Sequence, residues 1–130
     1  MDTLYQWISA LLALNDGILA WGSDDPDMGK RPWALELRGE DLNYYDIRSK
    51  TSAVTMQLIT LWDLEDGSPE MVEGMRSSAR DISLALKKRT SAPDTIRGVE
   101  IKNTRFEPAD DMQAAGLRLV LLEFRVILTN

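Results

Sequence analysis

A chain of 130 residues fits one domain with a core of its own. With 44% hydrophobic and 28% charged residues it is neither a disordered segment nor a disulfide-stapled miniprotein. It contains no cysteine and no histidine, which removes thiol nucleophiles, Fe–S clusters, Cys/His zinc sites and imidazole bases together. The 15 Lys and Arg against 21 Asp and Glu give a net charge of -6, which opposes general or sequence-specific nucleic-acid binding.

Asp2 and Gln6 precede a short apolar run ending near Leu14, which is not the pattern of a signal peptide. No window approaches the ~20 apolar residues that a bilayer span requires, so a soluble, cytoplasm-compatible protein is expected.

Thr3 and Gln6 fit a capping box, and Leu4, Ile8, Leu11 and Leu12 share a face, predicting a helix over about residues 3–15. Gly17 is expected to end it in the left-handed conformation. Residues 18–21 read as a short extended piece ahead of the acidic loop at 22–27. Trp33, Leu35 and Leu37 alternate with polar or small residues, predicting a strand over 32–38, with a turn at Gly39-Glu40-Asp41. Residues 44–48 suggest a short strand and 49–52 a flexible tip. Residues 53–62 form a long strand, with Val54, Met56, Leu58 and Trp62 on one face.

Ser68-Pro69-Glu70 is the strongest local signal: an N-cap, a proline preset for the first helical position and an acid near the positive helix end. Val72, Met75, Ala79, Ile82 and Leu86 then repeat at three and four, Lys87, Lys88 and Arg89 crowd the negative end, and Pro93 forbids continuation. A helix over about 69–89 follows, packing one face on a sheet. Residues 99–106 and 116–128 read as strands separated by a polar loop at 107–115. In the last strand Val120, Leu122, Phe124, Val126 and Leu128 form one row and Leu117, Leu119, Leu121 and Ile127 the other. The order is α-β-(β)-β-α-β-β, an α+β chain without internal repeats.

Charge is segregated along the chain: residues 1–29 hold five acids and no base, while residues 76–105 hold eight bases and three acids. Such polarity either orients subunits against one another or is simply a patchy solvated surface. Strand length points the same two ways. At ~3.3 Å per residue, the thirteen residues from Gly116 to Leu128 would extend roughly 43 Å, beyond the ~35 Å diameter of a compact chain this long. The sheet therefore either offers edges and hairpins to partner chains or coils strongly beneath both helices.

No constellation announces a reaction. Asp24, Asp25 and Asp27 carry hard-cation ligands but lack the EF-hand series, so an exposed acidic loop is the better reading. Asp110 and Asp111 near Glu107 are sequence neighbours on a loop without a nearby nucleophile. Lys87-Lys88-Arg89 is explained by the helix dipole as well as by phosphate. Tyr44, Tyr45 and Trp33 suit core or interface better than ligand stacking. No cofactor, metal or catalytic residue is expected.

The order of elements and their lengths resemble the tail terminator (tail completion) proteins of long-tailed bacteriophages and related prophage elements. The resemblance rests on the N-terminal helix, the segment from Arg31 to Glu40, the long strand from Ala53 to Trp62, the Ser68-Pro69-Glu70 helix and the ending from Ala115 to Leu128. It implies a mixed, largely antiparallel sheet of four to five strands flanked by two helices. The implied work is non-enzymatic: a six-fold homo-oligomeric ring that caps the tail tube, stops its polymerisation and presents a surface for head joining. Its partners would be the tail tube protein and a head-joining protein, and its location the virion tail, after assembly in the bacterial host cytoplasm.

On that reading Asp24, Asp25 and Asp27 face Arg76, Arg80, Lys87, Lys88 and Arg89 across a subunit interface. Tyr44, Tyr45, Lys50, Asp110 and Asp111 lie on loops turned toward the tube or the head. The competing expectations are a small cytoplasmic dimeric α+β ligand-binding or regulatory domain, another neck or baseplate subunit, and, last, a magnesium-dependent carboxylate enzyme built on Asp24, Asp27 or Asp110.

Overall fold

The computed structural model describes residues 2–19, 31–41, 51–64, 68–108 and 117–129. The described elements, in chain order, are α1 (Asp2–Ala13), β1 (Gly17–Leu19), β2 (Arg31–Asp41), β3 (Thr51–Asp63), α2 (Pro69–Lys87), β4 (Ile96–Pro108) and β5 (Leu117–Thr129). They form a five-stranded sheet of order β1-β2-β3-β5-β4, parallel between β1 and β2 and antiparallel elsewhere. The fold is α+β with two helices and a mixed, mostly antiparallel sheet, as expected from the order of elements.

The helices share one face of the sheet because both carry a single apolar stripe. Leu4, Ile8, Leu11 and Leu12 of α1 and Met75, Ala79, Ile82 and Leu86 of α2 are buried in the same cluster. The sheet contributes Val54, Met56 and Leu58 of β3 and Val120, Leu122, Phe124 and Val126 of β5, the rows that alternation selects. Trp7 also belongs to this core, its ring N–H donating to the Thr90 carbonyl at 2.8 Å. The stripe on α1 is thus wider than the leucine and isoleucine spacing predicted. α2 lies over β4 and β5, whereas α1 packs on β1 and α2.

Several boundaries differ from the sequence expectation, each for a local reason. α1 starts at Asp2, so Thr3 lies inside the first turn and does not flank it. Asp16, and not Gly17, takes the left-handed conformation, with φ 58°. Gly17 opens β1 and is small for a different reason: a Cβ there would lie 3.1 Å from the Trp33 ring and 3.3 Å from the Leu12 carbonyl.

Gly39-Glu40-Asp41 is not a turn, because pairing with β3 continues to Asp41 and the register shift between Leu37 and Gly39 absorbs the irregularity as a bulge. Thr51 and Ser52 belong to β3, held by pairing with Thr129 and Leu128, and are not part of a loop tip. β4 begins at Ile96 and extends through Glu107 and Pro108, which the sequence placed in the following loop. α2 ends at Lys87, two residues early, where Arg89 adopts φ 53° and closes the helix. The expected short strand at 44–48 lies outside the described residues.

The central pair β3 and β5 holds an unbroken register of thirteen residues. Irregularities fall on the outer strands, between Leu37 and Gly39 in β2 and at Ile96/Gly98 and Ile101/Asn103 in β4.

Candidate functional site: sheet edges, an apolar groove and an open cleft

The sheet has two outer sides. Among the described residues β4 pairs only with β5, and β2 pairs with β1 only through Arg31, Pro32 and Trp33, which leaves β2 without a second neighbour from Ala34 to Asp41. Backbone donors and acceptors along such edges need charge, bulges or another chain. Both edges carry bulges, and both carry exposed apolar side chains: Leu37 on β2 is 50% exposed and Phe106 on β4 is 38% exposed.

Beside the β4 edge lies a largely apolar groove of about 390 Å³. Its wall on α2 is the flank Arg76, Ala79, Arg80 and Ser83, and its floor is Ile101, Thr104 and Phe106 of β4. The helical spacing of three and four puts the four α2 residues on one stripe. Arg80 reaches Glu73 at 3.7 Å, an exposed pair that leaves the rim basic in sum with Arg76. Two of the expected interface residues, Arg76 and Arg80, are therefore brought together here.

Lys87 sits in the last turn of α2 and Lys88 caps it, its N–H bonded to the Leu84 carbonyl at 2.9 Å. Arg89 has intrachain work: its guanidinium donates to the carbonyls of Ile96 at 3.3 Å and Arg97 at 2.9 Å, pinning the start of β4 to the helix end. Asp24, Asp25, Asp27, Tyr44, Tyr45, Lys50, Asp110 and Asp111 lie outside the described residues. Trp33 is enclosed in the core, which answers the ligand-stacking alternative for that residue.

A second concavity, about 760 Å³, opens to solvent between the end of α1, the start of β2, the end of β3 and α2. Arg31 lies over the Trp62 ring at 3.6 Å and donates to the Leu61 carbonyl. Burial pushes the Arg31 guanidinium below its ordinary value, though an arginine remains a cation at neutral pH. Asn15, Asp16, Ser78 and Asp81 complete a polar lining. No local pattern announces this stacked pair, because residues 31 apart in the chain meet only through strand pairing.

The helix-free face of the sheet mixes apolar and charged residues. At its centre Gln57, only 3% exposed, sits between Glu36 and Glu123 in one row, and its buried carbonyl oxygen has no partner among the described residues. Among the described residues, no group of three or more acids could hold a metal ion and no helix is long and apolar enough to cross a membrane.

No family model matches the chain, and no curated protein matches it. Among solved structures, a chain of the "Virion of native gene transfer agent (GTA) particle" superposes with a TM-score of 0.57 at 14% identity. The match covers 98% of this chain and 92% of that chain. At that identity the likeness is one of fold, and it extends across nearly the whole length of both chains.

Proposed function

We propose that this protein is a structural subunit of a phage-like particle, and more specifically that it acts as a tail terminator. In this reading copies form a ring, six-fold by resemblance, that caps the tail tube, stops its growth and offers the surface on which a head-joining protein docks. The observation that carries it is the fold shared end to end with a chain of a gene transfer agent virion. Two further features support it. The chain lacks the histidines and cysteines of common active sites, and among the described residues its sheet has two edges without a neighbouring strand.

The ligand-binding alternative calls for an enclosed pocket with a few convergent polar groups. The cleft beside Arg31 is polar but opens to solvent, so it does not favour that reading. Electron microscopy of the purified protein with and without tail tubes tests the proposal. Rings, or density seated on tube ends, are expected. Decoration of the tube wall, or no binding and no rings, would overturn it.

A further inference from the structure

Among the described residues the two edges without a neighbouring strand belong to one sheet, and the strand order determines how they can meet. β2 and β5 run one way and β3 and β4 the other, because each neighbouring pair from β2 to β4 is antiparallel. A second copy set beside the first in the same orientation therefore brings its β2 alongside β4 antiparallel, the better-paired arrangement. Joining β4 to β4 or β2 to β2 would instead require a two-fold axis and would stop at a dimer.

Strand register aligns particular residues of the two edges. Leu37 pairs with Met56, Met56 with Phe124 and Phe124 with Ile101, so these four residues form one row across the sheet. Met56 and Phe124 of that row are buried beneath the helices, which places Leu37 on the helix-bearing side, where it is half exposed at one edge. Ile101 ends the row at the other edge, in the floor of the α2–β4 groove. Repeating the sheet sideways sets the next copy's Leu37 beside Ile101, under the flank of Arg76, Ala79 and Arg80.

Charge favours this pairing over like-with-like contact. Residues 34–41 carry three acids, Glu36, Glu40 and Asp41, and one base, Arg38. The receiving edge presents Arg76 and Arg80 on α2 with Lys102 and Arg105 on β4, all exposed, alongside Glu100, the Glu73 that pairs with Arg80 and the Glu107 that pairs with Arg105 at 3.0 Å, and it stays basic in sum.

We propose that copies of this chain join head to tail by antiparallel pairing of the β2 edge, residues 34–41, with the β4 edge of the next copy, Leu37 seating in the α2–β4 groove. This deepens the assembly reading above by naming its contact surface. Such a heterologous contact closes into a ring when the rotation per subunit allows it.

The absence of native cysteine makes the test clean. Leu37→Cys and Thr104→Cys are prepared separately, both at exposed positions, and treated with a short bismaleimide; in the paired sheet they are diagonal neighbours at roughly 7–8 Å, within its reach. Mixing the two single variants is expected to give one covalent dimer, and the double variant a ladder of higher species. Cross-linking of either single variant alone to an equal extent would show a two-fold contact and overturn the proposal.

Leu37→Arg gives an independent reading, since it alters an exposed side chain and leaves the core intact. Its thermal melt as a monomer is expected to match the parent while rings are lost. Rings seen by microscopy without the mixed cross-link would sink the edge pairing and leave the assembly reading standing. Absence of both rings and cross-link would count against each.

Discussion

Gly17 and Trp33 show how one missing side chain permits a buried indole. A methyl group at position 17 would sit 3.1 Å from Trp33 Cδ1, 3.2 Å from Nε1 and 3.3 Å from the Leu12 carbonyl oxygen, with none of the three free to retreat. Trp33 is fully enclosed, and Leu12 is held in α1. Gly17→Ala is therefore expected to destabilise the fold by about 1–3 kcal/mol, the usual range for overpacking, read as a drop of several degrees in melting temperature. Gly39 is the internal control. Among the described residues nothing lies within 4 Å of its would-be Cβ, and it lacks a positive φ, so Gly39→Ala should leave the melt unchanged or raise it slightly. Equal losses at both positions would mean that strand glycine entropy, and not the Trp33 contact, governs the effect.

At the scale of elements, α2 owes its start to one residue. The Ser68 hydroxyl accepts from the Met71 N–H at 3.3 Å while Pro69 fills the first helical position. Ser68→Ala should cost about 1 kcal/mol, seen as a lower urea midpoint with an unchanged slope; a changed slope would show that the denatured ensemble had shifted instead. This element was legible in the sequence because everything that sets it is local: cap, proline, stripe and terminal lysine lie within twenty-odd residues. The strand interiors were legible for the same reason, since the row Val120, Leu122, Phe124 and Val126 needs only period two. Strand ends were not. Glu40 and Asp41 stay in β2 because Val54 and Ala53 pair with them, and Thr51 stays in β3 because of Thr129, partners that no local window contains. The groove was half legible: Arg76 and Arg80 stood out as basic positions, but their juxtaposition with Ile101 and Phe106 depends on α2 lying over the edge strand. Arg89 read as a surface charge, yet its left-handed backbone turns the guanidinium onto the Ile96 and Arg97 carbonyls.

For the whole molecule, on the proposed pairing of β2 with β4, the energetics of a single edge contact decide how assembly should behave. Pairing the eight residues 34–41 offers about one backbone hydrogen bond per residue, each worth roughly 0.5–1.5 kcal/mol net. Losing free translation and rotation costs about 4–15 kcal/mol, so one contact is marginal. Stable assembly then needs closure of the ring or a tube end as template, where later contacts form at high effective concentration. Under these conditions the charge on the two edges has leverage out of proportion to its size, because it sets the encounter rate and the register of a weak contact.

Arg76→Glu with Arg80→Glu should therefore abolish rings detected by sedimentation velocity, and the parent rings should weaken as salt rises above about 0.15 M, where the Debye length falls below ~8 Å. Lys87→Glu with Lys88→Glu is the informative comparison, and it spares Arg89, whose loss would free the start of β4. Lys87 continues the stripe of Arg76, Arg80 and Ser83 one turn beyond the groove, so a smaller loss is expected there than at Arg76 and Arg80. An effect of Lys87 and Lys88 exceeding that of the groove pair would move the interface to the far end of α2, away from the β4 edge.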